Sequence, residues 1–369
     1  MTRVDQVIPT IVVRDAVSNH TLEAQRVLRG LGFDSDIYAQ NIGVELLGHV
    51  RPLSDLARDG HHRDAGGGRF LLYQASIGSP TADVFAGCTG IKLLNYHNMT
   101  PVAMIGWWEP HLASELELGR AQLAALAPIT SLAIAVSAYN EAELKEAGYP
   151  RTAVSPFLGD FAAPAAPDPS VSARLAAEDV SGGGKGGTSW LFVAQIAPHK
   201  SHHDVIKALA FYRQAYDPHA KLRLIGRESS PRYTAALRQL VVELGLEEAV
   251  IFEGTVSEAA KTSHFRHADV FVSCSEHEGF CAPLIEAMHH DLPIVAYGAA
   301  AVPETVADGG IVLPSKEPSL VAAAVHRLQD DPELRRELAE RARVRAGAFS
   351  IEQARARFAE AVQQVVNAS

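Results

Sequence analysis

DVFVSCSEHEGFCAPLIEAM, residues 269–288, contains the transition from which the fold class can be inferred. Its first six residues are mostly apolar and include two β-branched valines, a composition that favours a buried strand. Gly279 allows a backbone turn after that strand, and Pro283 is favourable at the first position of a following helix. Two carboxylates flank the break: Glu278 lies in the loop, and Glu286 is expected in the first turn of the helix. Because a helix N-terminus at a strand end attracts anions, the stretch predicts a binding site.

The same order of strand, loop and helix recurs along most of the chain. Residues 18–31 place Leu22, Leu28 and Leu31 on one side of a predicted helix. Alternating strands and helices predict a parallel sheet covered on both faces, which is an α/β fold. We therefore expect two doubly wound, Rossmann-like domains that face each other across a cleft at the carboxyl ends of their strands. The apolar runs that predict strands are 7–13, 36–39, 69–73, 91–94, 132–136, 190–193, 222–225, 250–252, 270–272, 294–296 and 311–313.

Composition marks the expected boundary between the two domains. Residues 161–170 (FAAPAAPDPS) are rich in proline and alanine, and residues 181–189 (SGGGKGGTS) are rich in glycine. Both compositions are typical of linkers and surface loops. The predicted organisation is an N-terminal domain at 1–160, a linker at 161–188, a C-terminal domain at 189–345 and a final helical segment at 346–369.

Bulk composition excludes several classes of protein. A chain of 369 residues with 47% hydrophobic residues suits two globular domains. The net charge of −10 argues against nucleic acid as a partner and leaves at most a peripheral contact with a membrane. No apolar run reaches about 18 residues, and no charged-then-apolar leader opens the sequence. Three scattered cysteines, Cys88, Cys274 and Cys281, indicate reduced thiols, so we expect a cytoplasmic protein, free or at the inner face of the membrane.

The E-x7-E pattern of Glu278 and Glu286 begins with EGF and ends with EAM. In this form it resembles the signature of GT-B fold retaining glycosyltransferases, and it is most similar to glycosyltransferase family 4 (group 1). Residues 292–314 (LPIVAYGAAAVPETVADGGIVLP) resemble the next block of that family. The resemblance implies a hexosyltransferase that moves a hexose from a UDP- or GDP-sugar to an acceptor hydroxyl with retention of configuration and without a metal cofactor. It also implies that the segment 346–369 returns to the N-terminal domain.

The resemblance assigns roles to the residues around the turn. Glu278 would lie near the donor hexose as a catalytic residue, and Glu286 would bind the ribose hydroxyls of the nucleotide. The backbone N–H groups between them would line the sugar and the diphosphate; they belong to Gly279, Phe280, Cys281 and Ala282. The alternative reading is a helix whose acidic residues are favoured in its first turn by the helix dipole alone.

A second loop, in residues 193–209 (VAQIAPHKSHHDVIKAL), also joins a predicted strand to a helix. By resemblance, Lys200 matches the catalytic lysine that contacts the donor diphosphate, where a cation stabilises the leaving group. Gln195 stands where arginine is common in the family, so one expected cation is missing. We expect either weaker donor binding or a lower rate, or another cation in its place, for which Arg227 is the candidate. The backbone around Val256 is the expected contact of the nucleotide base.

The N-terminal half is expected to bind the acceptor. His97 follows a predicted strand and resembles the strand-end histidine that lies near the donor sugar in the family, although a histidine satisfied within a loop is the alternative. Asp15, Asn19 and His20 replace a glycine-rich loop of many relatives and are acceptor candidates. Trp108 is another, because its ring suits a sugar face, but it would serve equally well as a packing anchor.

Two other functions remain open from the sequence. One is a different GT-B enzyme, either a sugar phosphorylase or a nucleotide-sugar epimerase. The other is a non-catalytic binder of glycans or nucleotides, left after loss of the arginine at position 195. The acceptor is equally open, since a glycan, a lipid-linked intermediate and a small molecule all present hydroxyl groups.

Overall fold

The computed structural model describes residues 2–13, 15–59, 68–180 and 187–368. It divides the chain into two compact units, each with its own sheet. Unit 1 consists of Met1–Gly106, Pro110–Asp160 and Ile351–Ser369, and unit 2 consists of Trp107–Glu109 and Phe161–Ser350.

Unit 1 is built on a seven-stranded sheet in which all paired strands are parallel. Its strands are β1 Arg3–Ile11, β2 Ile37–Ile42, β3 Arg51–Pro52, β4 Arg69–Ala75, β5 Ile91–Tyr96, β6 Leu132–Ala135 and β7 Thr152–Val154. Their order across the sheet is β3-β2-β1-β4-β5-β6-β7. The order reverses between β1 and β4, and ligands of doubly wound sheets bind at such a switch point. The helices of unit 1 are α1 Ala16–Gly30, α2 Leu53–Asp59, α3 Pro80–Gly87, α4 Pro110–Leu126, α5 Ala138–Glu146 and, at the end of the chain, α14 Ile351–Val366.

Unit 2 repeats this topology with six parallel strands. They are β8 Ser189–Val193, β9 Lys221–Ile225, β10 Val250–Gly254, β11 Val270–Ser273, β12 Ile294–Tyr297 and β13 Ile311–Leu313, in the order β10-β9-β8-β11-β12-β13. The switch point therefore lies between β8 and β11. The helices are α6 Pro169–Val180, α7 His202–Ala215, α8 Pro231–Glu243, α9 Glu258–His267, α10 Ala282–His289, α11 Val302–Val306, α12 Pro318–Asp330 and α13 Pro332–Gly347. The prediction of two doubly wound α/β domains is confirmed.

Helix α14 belongs to the core of unit 1, although it ends the chain. Phe358 is fully buried in a cluster that also contains Leu28 of α1 and Phe70 of β4. Arg355 of α14 pairs with Glu23 of α1, with 2.7 Å between Nη2 and Oε1. The final segment of the chain thus completes one face of the sheet in unit 1.

The prediction of a linker at 161–188 is wrong in its middle, because α6 is a helix that packs against α9. Asp168 precedes it and accepts from the N–H groups of Ser170 and Val171, and Pro169 occupies a position where proline is favourable. Near the C-terminal end of α6, Glu178 pairs with the buried Arg223. A buried guanidinium needs such a partner, because an unpaired charge in the core is costly. The prediction from composition was wrong here because proline content does not distinguish prolines that begin a helix from prolines in a loop. Residues 181–186 of the glycine-rich segment lie outside the described residues.

Capping explains where the first helix begins. The predicted helix at 18–31 is observed as α1, two residues earlier at its start. Asp15 causes the difference, since its carboxylate accepts from the N–H of Ser18 at 2.9 Å and from the Ser18 hydroxyl at 2.8 Å. The strand predicted at 7–13 likewise lies earlier, as β1.

Within the parts of the chain that the structure describes, no helix combines the length and the apolar character needed to cross a membrane.

Substitution Phe358→Ala tests the place of α14 in unit 1. We expect a loss of about 3–5 kcal/mol in the free energy of unfolding, because the change removes a fully buried ring and leaves a cavity. Chemical denaturation followed by circular dichroism measures this. Arg357→Ala, at an exposed position of the same helix, is the matched control and should change stability by less than about 0.5 kcal/mol. Equal losses of stability in both variants would contradict the burial of Phe358 in the core of unit 1.

Candidate active site

The loops that follow β8 and β11 meet at the switch point of unit 2. The N–H of Glu276 donates to the carbonyl oxygen of His199 at 2.9 Å, which ties one loop to the other. Beside this hydrogen bond, Nζ of Lys200 lies 2.7 Å from Oε1 of Glu278. Both side chains are largely buried, with exposed fractions of 16% and 10%. The structure therefore brings together two residues that sequence analysis selected from separate motifs.

The helices that leave these two loops begin without a side-chain cap. Ser201 precedes α7 and Cys281 precedes α10, and each adopts a left-handed conformation, with φ of 51° and 61°. In neither case does the side chain accept from the first N–H groups of the helix. Helices α8 and α9 of the same unit are capped by Ser230 and Ser257. Uncapped N–H groups and the positive end of a helix dipole together suit an anion such as a phosphate.

Glu286 occupies the second turn of α10, not the first, because the helix already begins at Ala282. Its carboxylate accepts from Lys261 of α9 at 2.7 Å, and Lys261 also pairs with Glu258 at 2.8 Å. Burial raises the pKa of the Glu286 carboxyl, although Lys261 opposes this shift. Burial lowers the pKa of Lys261, but Glu286 and Glu258 outweigh it and leave that pKa raised. Sequence analysis missed Lys261, since no motif links α9 to α10.

The backbone after Glu278 is fixed by packing. The ring of Phe280 is buried, with its centroid 5.4 Å from that of Phe349 and 6.1 Å from that of Phe161. Its carbonyl oxygen accepts from the hydroxyl of Thr305 at 2.9 Å. The segment from Gly279 to Ala282 is therefore held in place beside the start of α10.

Gln195 and Arg227 lie on adjacent loops, after β8 and β9. The N–H of Ile196 donates to the carbonyl oxygen of Arg227 at 2.9 Å, and the hydroxyl of Ser229 donates to Oε1 of Gln195 at 3.1 Å. The side chain of Arg227 is exposed and has no hydrogen bond or ion pair within the described residues. Its guanidinium is thus available beside the position where the expected arginine is missing. Val256, farther along, is partly buried against the core of unit 2.

Lys316 and His202 lie beside the loop that carries Lys200, and sequence analysis assigned neither of them a role in the site. Lys316, after β13, pairs with Asp204 of α7 and with Glu276, each at 2.6 Å. His202 begins α7 and is fully buried, with its ring centroid 4.7 Å from that of Phe192. Burial lowers the pKa of His202 to about 3, and Lys200 adds to this effect. The ring of His202 is therefore neutral. The charges around it lie on the lysines and carboxylates.

In unit 1, His97 directly follows β5, as predicted. Its Nε2 lies 2.7 Å from Oε1 of Gln74 on β4, and its ring meets that of His20 edge-on at 4.6 Å. Burial lowers the pKa of His97 to about 3, so the ring is neutral at pH 7. Gln74 was missed by sequence analysis because a glutamine inside an apolar strand carries no motif.

The proposed acceptor contact of His20 is wrong. This side chain is fully buried on the inner face of α1, where Nδ1 accepts from the N–H of Leu158 at 3.0 Å and Nε2 lies 2.5 Å from Nδ2 of Asn95. Burial, and the neighbouring His97, lower its pKa well below the usual range. The carboxylate of Asp15 is engaged in capping α1, whereas Asn19 is exposed on that helix and stays a prediction.

Trp108, which the sequence offered as an acceptor contact, belongs to unit 2 together with Trp107 and Glu109. Its ring packs edge-on against Tyr233 of α8 at 5.2 Å, and the hydroxyl of Ser230 donates to Glu109. These contacts favour the packing anchor that the sequence left open, and the acceptor contact of Trp108 stays a prediction.

Acid stability tests the environment of His202. Neither of its ring nitrogens has a hydrogen-bond partner in the described chain. An unfolded histidine titrates near pH 6.5; with a folded pKa of about 3, stability is complete above pH 6.5 and falls as the pH drops towards 3. Between pH 6.5 and 4.5 this residue should cost about 2–3 kcal/mol. His202→Phe should remove that part of the loss, as measured by denaturation at several pH values.

The control for this experiment is His111→Phe, at an exposed position of α4. It should leave the pH dependence of stability unchanged. If His202→Phe lost stability on acidification as steeply as the unmodified protein, the buried neutral state of His202 would be refuted.

Comparison with known proteins finds a family match in the second half of the chain. The family of glycosyl transferases group 1 matches residues 180–345. D-inositol 3-phosphate glycosyltransferase of Thermomonospora curvata is 31% identical over 157 residues, which are 40% of this chain and 36% of that protein. N-acetyl-alpha-D-glucosaminyl L-malate synthase of Bacillus anthracis is 32% identical over 155 residues, 42% of this chain and 39% of that protein. The chain thus spans little more than a third of the length of these relatives.

Solved structures extend the similarity to both units. HepE of Anabaena, crystallised with UDP-glucose, superimposes with a TM-score of 0.76 at 17% identity, covering 98% of this chain and 99% of that one. Sucrose-phosphate synthase of Thermosynechococcus elongatus superimposes with a TM-score of 0.74 at 18% identity, covering 100% of both chains. The resemblance inferred from the sequence is supported by both comparisons: residues 180–345 match the family of glycosyl transferases group 1, and the chain has the GT-B fold.

Proposed function

We propose that this protein is a retaining glycosyltransferase that transfers a hexose from a nucleotide-diphosphate sugar to an acceptor hydroxyl. The observation that carries the proposal is the pairing of Lys200 with Glu278 at 2.7 Å beside two uncapped helix starts. A sugar diphosphate presents anionic oxygens next to hydroxyl groups. An ammonium and helix N–H groups suit the first, and a carboxylate suits the second.

The nucleotide end of the donor is assigned to α10. Glu286 accepts from the ribose hydroxyls, while Lys261 donates to its carboxylate and opposes the rise in its pKa that burial causes. The backbone near Val256 meets the base. Of the two nucleotides that the sequence left open, we favour UDP, because HepE of Anabaena, TarM of S. aureus and the pneumococcal GtfA, which have similar folds, were crystallised with UDP or UDP-glucose.

The chemistry follows from the charges around the donor. As the bond between the anomeric carbon and the diphosphate oxygen breaks, Lys200 and the N-termini of α7 and α10 stabilise the negative charge on the diphosphate. Glu278 orients the hexose and stabilises positive charge on its anomeric carbon. The acceptor oxygen forms its bond on the face that the diphosphate leaves, and its proton passes to a phosphate oxygen.

Retention fits the state of the two candidate proton acceptors, His97 and Glu278. With a pKa of about 3, His97 is a poor proton acceptor, and Glu278 is already paired with Lys200. A departing phosphate is then the group best placed to take the acceptor proton. The resulting product keeps the configuration of the donor sugar.

Thermal unfolding with nucleotides tests the donor site. We expect UDP or a UDP-sugar to raise Tm by mass action, with and without EDTA, since no metal is needed in this mechanism. Glu286→Gln should abolish most of that shift, because the amide accepts more weakly from ribose. Glu247→Gln, at an exposed position of unit 2, is the matched control.

If inorganic phosphate or a free glycan raised Tm and none of the nucleotides did, the transferase would be refuted. That result would favour a phosphorylase or a glycan binder. Nucleotide binding without transfer to any acceptor would favour a non-catalytic binder. Where transfer is found, NMR of the product should show the anomeric configuration of the donor.

Gln195 stands where the family commonly has an arginine, and substitutions at positions 227 and 195 test whether Arg227 supplies the missing charge. We expect Arg227→Met to weaken donor binding about tenfold, because a charged hydrogen bond to phosphate is replaced by none. Adding Gln195→Arg to that variant should restore binding, which calorimetry with UDP measures. Arg232→Met, an exposed residue of α8, is the control for loss of one charge. If Arg227→Met bound UDP as tightly as the unmodified protein, Arg227 would have no part in the site.

A further inference from the structure

Unit 1 contains a row of buried amide side chains that ends at His97. Gln6 on β1, Gln74 on β4 and Asn95 on β5 are all fully buried, and they occupy neighbouring strands. Buried amides cost free energy unless their hydrogen bonds are made, so each member of the row restricts the next. We call these three side chains the amide row.

The orientation of the row is set at one end by the backbone. The carbonyl oxygen of Thr21 can only accept, so Nε2 of Gln6 faces it, at 3.0 Å. Oε1 of Gln6 then accepts from Nε2 of Gln74 at 2.8 Å. Because the nitrogen of Gln74 is used in this way, its Oε1 is the atom that faces Nε2 of His97, at 2.7 Å.

This order fixes the proton on the imidazole ring. Oε1 of Gln74 is an acceptor, so Nε2 of His97 must carry the hydrogen, and Nδ1 of a neutral ring is left with a free lone pair. In the described chain Nδ1 of His97 has no hydrogen-bond partner, and it is not one of the fully enclosed polar atoms. Since burial lowers the pKa of His97 to about 3, the ring stays neutral at physiological pH.

We propose that Gln6 and Gln74 are positioning residues that hold His97 in its Nε2–H tautomer, so that Nδ1 accepts a hydrogen bond from a substrate hydroxyl. The substrate class is thereby narrowed to molecules that present a hydroxyl donor to Nδ1, because Nδ1 carries no hydrogen that it could donate to the substrate. The part concerning substrate rests on the function proposed above, whereas the part concerning the tautomer does not.

At the other end of the amide row, the contact between Asn95 and His20 does not change the orientation of Gln74. His20 faces a donor at each ring nitrogen, namely the N–H of Leu158 at Nδ1 and Nδ2 of Asn95 at Nε2. A neutral ring accepts at one nitrogen only, so one of these contacts is mismatched. Gln74 keeps its orientation nevertheless, because Gln6 holds its amide from the opposite side.

NMR of the protein labelled with 15N-histidine measures the tautomer directly. Long-range 1H–15N correlations should show Nε2 protonated and Nδ1 bare for His97, with the signal assigned by its loss in His97→Asn. Gln74→Met should give a mixture of both tautomers, and Gln6→Met should shift the balance in the same direction. Gln25→Met is the matched control: this buried glutamine donates to the carbonyl oxygen of Ser35, away from His97, and its loss should leave the tautomer unchanged.

An Nδ1–H tautomer in the unmodified protein would overturn the proposal, and this holds even if the Gln74 variant fails to fold. An unchanged tautomer in both Gln74→Met and Gln6→Met would overturn it as well. For activity, we expect Gln74→Met to lower kcat up to about tenfold, the effect of one weakened hydrogen bond, while the affinity for UDP is unchanged.

The two proposals fail in different ways. If His97 shows the expected tautomer but no nucleotide sugar is turned over, the transferase fails and the positioning role of the glutamines stands. If transfer is found with the wrong tautomer, the positioning role fails alone.

Discussion

The ion pair of Lys200 and Glu278 depends on the place of two strands in a sheet. β8 and β11 are parallel neighbours, so the loops at their carboxyl ends emerge at the same edge. On either side of this point the chain order runs in opposite directions, which leaves room between the loops. Much else in unit 2 follows from this constraint: the hydrogen bond between the loops, the adjacent starts of α7 and α10, and the approach of Lys316 from beyond β13.

The helix starts at the candidate site differ from most others in how they are capped; α11 and α12, elsewhere in unit 2, also lack a side-chain cap. Serine or aspartate side chains close the starts of α1, α3, α5, α8, α9 and α13. α7 and α10 begin instead at left-handed residues whose side chains do not cap them. A capped helix start has satisfied its N–H groups internally, whereas an uncapped start can satisfy them with a ligand. The same element thus serves stability in one place and binding in another.

Buried polar groups distinguish the two units. Unit 2 concentrates charge, with lysines paired to carboxylates around its switch point. Near the switch point of unit 1 lie neutral amides and imidazoles, with Gln6, Gln74 and Asn95 joined to two histidines. Charged groups suit a diphosphate, and neutral directional groups suit hydroxyls. The division agrees with a donor held by unit 2 and a hydroxyl contact at His97.

The sequence by itself determined the features that depend on neighbours along the chain. Alternation of strands and helices, the loops at Lys200 and Glu278, and the position of His97 after a strand all follow from local patterns. Helix α6 was not predicted from local patterns, because its ion pairs are made with residues of β9 and β10, outside its own segment. Only the tertiary structure decided that Lys261 pairs with Glu286, that His20 is buried and that Trp108 packs in unit 2. Each of these contacts joins residues far apart in the chain, as with the 68 positions between Gln6 and Gln74. Strand order, which no local pattern encodes, brings such residues together.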